Sequence, residues 1–317
     1  MMPPFDTPVP AGGYRWWYID GLSDDGRHGI TLIAFVGSVF SPYYAWARQR
    51  PGAAPDPMAH CALNAVLYAT GGSAAPAGWA MTERSAAAVR RSTAQMQIGP
   101  SALAWDGNCL RVQVDEVTVP WLRRIRGQIT LHADAWLDRP YPLDTGGLHR
   151  WQPVAPVARI EVVLEQPQLR WSGPAYMDAN FGARPLEQDF DGWHWSRASL
   201  PQGRSAILYD VTAADGGRMA LALQIDRTGR AQEFAPPQQF DLPTTRWGIA
   251  RSTRADAGVT PRVAQTLEDG PFYARSVLDT RLLGQAATAV HESLSMRRFS
   301  APWVRALLPF RMPRRRA

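Results

Sequence analysis

Asp106-Gly-Asn-Cys-Leu-Arg-Val-Gln-Val114 decides the fold class. From Asn108 onward apolar and polar residues alternate with a period near two, so an extended strand would bury one side and wet the other. Asp106-Gly107 just before it is a dipeptide that closes a tight hairpin. The pattern recurs outward in both directions. His28–Val36, His60–Tyr68, Ala102–Trp105, Gly127–Ala133, Arg159–Glu165, Ser205–Val211, Arg218–Ile225 and Arg262–Glu268 are short apolar or alternating runs, and Gly216-Gly217 and Thr228-Gly229 punctuate the second half. Helical periodicity is confined to the short Ser85–Arg91 and to Leu278–Arg298. The expectation is an all-β protein, sandwich or barrel, with little helix outside the C-terminal fifth.

At 317 residues the chain holds one large β domain or two of ordinary size. The Pro-containing Glu165-Gln-Pro-Gln-Leu169 is the candidate boundary, giving units at 1–165 and 166–290 and a tail at 291–317. Charge is concentrated in that tail. From Ser293 to Ala317 there are seven arginines (Arg297, Arg298, Arg305, Arg311, Arg314, Arg315 and Arg316) and no acid, against a net charge of +6 for the whole chain. Interleaved with Phe299, Trp303, Leu307, Leu308 and Phe310, they have the makeup of a segment resting on an anionic membrane; a plain solvated tail is the alternative.

All 34 basic residues are Arg, so an arginine by itself is no sign of a phosphate contact, and no nucleic-acid partner is expected. Two cysteines, Cys61 and Cys109, give neither a disulfide framework nor metal spacing. The first ten residues lack a signal-peptide pattern and no apolar run is long enough to span a bilayer, so a cytoplasmic location is expected. There is no P-loop, GxGxxG, HExxH or GxSxG; no metal, nucleotide or redox cofactor is expected. Thirteen Trp is a high count, and so much indole is either core or the lining of an apolar cavity.

The chemistry-bearing residues crowd between His149 and Arg197. Tyr176 and Asp178, two apart, share one face of an extended strand, as do His149 and Trp151. An aspartate among aromatics could be an acid kept protonated by desolvation, or a turn aspartate satisfied by backbone amides; His149 could equally be a core histidine bonded to a carbonyl. Trp193-His194-Trp195 places two indoles on one face and an imidazole on the other. The residues alone leave these alternatives open.

Three separated segments, Tyr14-Arg-Trp-Trp-Tyr-Ile-Asp20-Gly, the run from His28 to Tyr44, and Tyr176-Met-Asp-Ala-Asn-Phe-Gly-Ala-Arg-Pro-Leu186, resemble the carotenoid 1,2-hydratase (hydroxyneurosporene synthase) family. The resemblance covers most of the chain. It implies a pair of lipocalin-like β-barrel units, a cofactor-independent hydratase of acyclic carotenoids such as lycopene and neurosporene, and functional roles for His149, Trp151, Tyr176 and Asp178. Trp193, Trp195 and Trp171 are then expected to line the substrate pocket.

On that reading Asp178 protonates C2 of the terminal alkene, the π faces of Trp151 and Tyr176 stabilise the tertiary cation at C1, and His149 holds the attacking water and takes its surplus proton. The competing expectation is a lipocalin-like carotenoid or lipid carrier without chemistry, which would keep the pocket but need no acid. Peripheral contact with the inner or an intracytoplasmic membrane is expected in either case. The sequence does not give the oligomeric state.

Overall fold

The computed structural model describes residues 2–50, 52, 54–69 and 76–315. Arg316 and Ala317 of the basic tail lie outside them. The chain forms two compact units, one of Met1–Tyr68, Ala77–Leu186 and Arg305–Ala317, the other of Ala69–Pro76 and Glu187–Val304.

The strands in chain order begin with β1 (Tyr14–Leu22), β2 (His28–Val36), β3 (Cys61–Ala69), β4 (Gly78–Arg84), β5 (Val89–Arg91) and β6 (Gln95–Ile98). They continue with β7 (Ser101–Asp106), β8 (Cys109–Val117), β9 (Arg124–Ala133), β10 (Tyr141–Pro142), β11 (His149–Gln166) and β12 (Leu169–Gly182). Next come β13 (Phe190–Leu200), β14 (Arg204–Ala213), β15 (Arg218–Asp226), β16 (Ala231–Glu233) and β17 (Gln238–Leu242). The last are β18 (Arg251–Ala255), β19 (Arg262–Asp269), β20 (Tyr273–Leu282), β21 (Gln285–Ser295) and β22 (Arg314–Arg315). Helices are short: α1 (Pro42–Arg48), α2 (Leu186–Asp189), α3 (Met296–Phe299) and α4 (Pro302–Arg311). The all-β expectation holds.

The larger sheet runs β22-β4-β3-β2-β1-β12-β11-β9-β8-β7-β6-β5, with β10 on β11, and curls as a half-barrel. After the Asp106-Gly107 turn, β8 buries Leu110, Val112, Val114 and Glu116 and wets or half-buries the residues between. One face of this sheet packs an apolar core in which Trp17, Ile19, Leu32, Leu63, Val112, Ile129, Ile160 and Met177 are all essentially inaccessible. The smaller sheet runs β16-β15-β14-β13-β21-β20-β19 over its own core around Ala198, Leu208, Ala222 and Leu278, with β17 and β18 as a separate pair.

Three expectations change. The boundary read at Glu165–Leu169 is instead the turn of the β11–β12 hairpin, whose two long strands lie in one sheet; the division falls between Leu186 and Glu187. A Pro-containing polar stretch marks a tight turn as readily as a linker. Leu278–Arg298 is mostly strand, because β21 buries residues on both faces through Val290–His291 and so shows no clean alternation. Ser85–Arg91 is a single 3-10 turn at Ala86–Ala88 followed by β5.

The 291–317 tail is not one segment. His291–Ser295 completes β21, and α4 carries the chain to β22, which pairs in parallel with β4. Arg314 donates to the buried Glu83 carboxylate and to the Ala59 carbonyl, and Glu83 also meets His60 Nδ1 at 3.0 Å. On α4, Val304 and Leu308 are buried while Trp303, Leu307 and Phe310 are exposed by 48, 46 and 82%.

Candidate active site

β12 lies between β1 and β11, and its register sorts the residues singled out by the sequence. Ala175, Met177 and Ala179 face the apolar core, so Tyr176, Asp178 and Asn180 face the opposite side. On β1 the same division sends Trp17 and Ile19 to the core and Tyr14, Trp16, Tyr18 and Asp20 to the other side. Pairing then makes cross-strand rows: Tyr14–Gly182–His149, Trp16–Asn180–Trp151, Tyr18–Asp178–Pro153 and Asp20–Tyr176. Beyond Pro153 the register of β11 shifts twice before Ala158. Pro153 and Pro156 have no N–H to give to a ladder, and such bulges re-aim neighbouring side chains.

The rows bring three of the expected residues into direct contact. Trp151 Nε1–H donates to Asp178 Oδ2 at 2.8 Å and Tyr176 O–H donates to the same oxygen at 2.9 Å. Asn180 Nδ2–H reaches the other oxygen, Oδ1, at 3.3 Å. Trp151 and Tyr176 are fully buried and Asp178 is 4% exposed. Oδ2 thus accepts from two close donors, and Asn180 reaches Oδ1 at the longer distance. The Asn180 carbonyl oxygen is buried with no hydrogen-bond partner.

His149 occupies a different row. Its pairing partner Gly182 is four residues beyond Asp178 on β12, and its Nδ1 lies 2.9 Å from the Tyr14 hydroxyl, with the rings stacked at 5.8 Å. Gly182 makes room for this: a Cβ there would come within 2.6 Å of the Tyr14 ring and 2.7 Å of His149 Nδ1. A cleft lined by Thr7, Pro8, Val9, Tyr14, Phe181 and Gly182 opens at this end of the rows.

Trp171 does not join this face. Counting back from Ala175 by two puts it on the core side of β12, packed against the apolar cluster. Trp193 and Trp195 are buried in the second unit on one face of β13, where Trp195 pairs with Tyr209 and Glu292. His194 points to the other face, bonded to Ser293 Oγ at 2.8 Å and stacked on His291 at 6.1 Å. Burial pushes His194 down to about 4 and His291 down to about 3. Among the described residues no group of three His, Cys, Asp or Glu could hold a metal ion.

Sequence reasoning passed over Asn180, Tyr14, Trp16, Tyr18 and Asp20 as site residues. The signal was there: Tyr14, Trp16, Tyr18 and Asp20 alternate as a strand face does, and Asn180 is two residues from Asp178.

The family model described as carotenoid hydratase CrtC matches residues 32–317. The chain is 52% identical over 313 residues to the acyclic carotenoid 1,2-hydratase of Thiocapsa roseopersicina, covering 98% of this chain and 76% of that protein. It is 49% identical to the enzyme of that name from Rubrivivax gelatinosus, covering 99% and 76%. In fold it is similar to the crystal structure of an AttH protein of Nitrosomonas europaea, with a TM-score of 0.59 at 14% identity over 89% of this chain and 92% of that one. A matching family model over nearly all of the sequence, with two such relatives, means that the chain belongs to the carotenoid hydratase CrtC family.

Proposed function

We propose that this protein is a cofactor-independent hydratase that adds water across the terminal C1=C2 bond of acyclic carotenoids such as lycopene and neurosporene, giving a tertiary 1-hydroxy product. The observation that carries the reading is the Asp178 carboxyl, buried with two donors on a single oxygen. With Oδ2 occupied by Trp151 and Tyr176, the acid's proton resides on Oδ1. It passes to C2, the alkene π electrons form the new C–H bond, and C1 becomes a tertiary cation. As the proton leaves, negative charge grows on a carboxylate already held by two donors. Such preorganised donors stabilise developing charge at no cost of reorganisation.

The Trp151 and Tyr176 rings that bring those donors also offer π faces to the cation. Water adds to C1 and loses a proton, which we assign to His149. Its row stands two beyond that of Asp178, so the proton travels through the Tyr14 hydroxyl and ordered water rather than by direct contact. Return of a proton to Asp178 closes the cycle, and the sum is one water added.

The protein works against an anionic membrane. What supports this is α4, where Trp303, Leu307 and Phe310 recur at helical spacing on an exposed face in an acid-free segment. The test is incubation of purified, EDTA-dialysed protein with detergent-dispersed lycopene in heavy water. A hydroxylated product with one deuterium at C2 is expected. Lycopene recovered bound and unchanged would favour a carrier, and turnover that needs an added metal or nucleotide would overturn the cofactor-independent reading.

A further inference from the structure

The most exposed pair of neighbouring apolar side chains among the described residues is Trp121 and Leu122, exposed by 75 and 80% at the turn between β8 and β9. The turn is not slack. Thr118 N–H donates to the Arg123 carbonyl at 2.8 Å, Arg123 N–H to Thr118 Oγ1 at 3.1 Å, and the Thr118 hydroxyl to the Trp121 carbonyl. A braced backbone therefore displays an indole and an isobutyl group to solvent where the fold gains nothing from them.

Next along the chain are Arg123 and Arg124, both exposed, and no acid occurs from Thr118 to Ala133. Arg124 is partly engaged by Asp115 at 3.4 Å. The turn and the C-terminal half of α4 border one residue of the same unit. Val119 N–H donates to the Trp79 carbonyl at 3.0 Å, and the Arg311 guanidinium sits 4.3 Å over the Trp79 ring. Leu307 and Phe310, exposed on that half of the helix, belong to the second acid-free segment.

We propose that the Trp121–Leu122 turn is a membrane-inserting tip that, with Leu307 and Phe310, forms one docking surface for an anionic lipid bilayer. Trp121 and Leu122 enter the boundary between headgroups and acyl chains while Arg123 and Arg311 meet the lipid phosphates. Charge decides against a second copy of the chain, because two such surfaces face to face would oppose Arg123 and Arg311 to their own copies, and the nearby acid, Asp115, is already paired with Arg124. The proposal rests on the reading of a membrane-dissolved substrate and names the element that reaches it.

The full chain and a Trp121→Ser/Leu122→Ser variant would be sedimented with phosphatidylglycerol vesicles and with phosphatidylcholine vesicles. Lycopene turnover would be measured in vesicles and in detergent. The variant is expected to lose at least about tenfold in affinity for anionic vesicles, since a buried leucine and indole each account for about that much. Turnover in vesicles should fall in parallel, with detergent turnover and melting temperature unchanged. Equal vesicle binding by variant and parent overturns the proposal, as does a parent that pellets with neither vesicle. A dimer dispersed by the substitutions with vesicle binding intact also overturns it, in favour of self-association. A parent that binds vesicles yet forms no alcohol in detergent overturns the hydratase reading and leaves the docking surface standing.

Discussion

Replacing Asp178 by Asn separates proton transfer from architecture, because the surrounding groups can accept the change. The new amide oxygen takes the place of Oδ2 and still accepts from Trp151 Nε1 and Tyr176 Oη, now at 2.8 and 2.9 Å from Oδ2. The new NH2 takes the place of Oδ1 and meets Asn180, whose Nδ2 stands 3.3 Å away and whose own carbonyl oxygen is buried without a partner. Half a turn of the Asn180 amide presents that oxygen to the new donor, so the hydrogen bonds are kept. The stability cost should stay within about 1 kcal/mol, the value of one neutral hydrogen bond. An amide cannot protonate an alkene, and loss of a general acid removes about 10²–10⁴-fold in rate. Asp178→Leu is the contrasting variant. It removes the carboxyl acceptor of the buried Trp151 and Tyr176 donors, at about 1–3 kcal/mol each. The assay is lycopene turnover beside thermal melting of the same preparations. A folded Asp178→Asn protein with turnover within about threefold of the parent would refute the assignment.

Gly182→Ala is expected to force Tyr14 and His149 apart, since the added carbon would stand 2.6 and 2.7 Å from them; overpacking of this kind costs about 1–3 kcal/mol, and an unshifted melting temperature would count against it. His194 and His291 are held at about 4 and about 3, below the ordinary 6.5, mainly by burial. The unfolded chain therefore takes up protons first, and stability present above about pH 6.5 is lost as the pH falls toward 4, by about 1.4 kcal/mol per pH unit per imidazole. Melting curves from pH 7 to 5 should show the decline, and a His194→Gln/His291→Gln variant with the same acid slope would sink the explanation. Arg314→Met should destabilise by up to about 3 kcal/mol in denaturant titration, because it takes the guanidinium away from the Glu83 carboxylate, which is 1% exposed, and a change below about 0.5 kcal/mol would contradict it.

Period-two alternation is a local signal, and what it can specify is which face a residue occupies. Hence the β8 hairpin, the shared face of Tyr176 and Asp178, and the split of Trp193 and Trp195 from His194 were legible from the residues themselves. Which strands become neighbours is a long-range matter. Tyr14 and His149 meet only because β1 and β11 both pair with β12, and no spacing in the sequence states that. The same limit explains Trp171. Its odd-numbered place on β12 was readable, but proximity to Tyr176 in sequence suggested the pocket and the pleat puts it on the core side. Strands buried on both faces lose the alternating signal, as β21 did when it passed for helix.

The basic tail shows where composition alone overreaches. Seven arginines in an acid-free segment read as one electrostatic feature, yet the structure divides them by partner. Arg314 is engaged with Glu83 and Ala59, Arg298 donates to the Trp247 carbonyl, Arg305 is 7% exposed, and Arg311 lies over Trp79. Each of these has a neighbour to lose in the folded protein, so removal of residues 300–317 would strip β22 from the edge of β4 and leave a buried carboxylate behind. A truncated protein that failed to pellet with vesicles could therefore have failed to fold. Membrane contact has to be tested by substitutions that touch exposed side chains alone. Phe310, 82% exposed, and the pair Trp121 and Leu122 meet that condition, whereas Arg305, Arg311 and Arg314 do not.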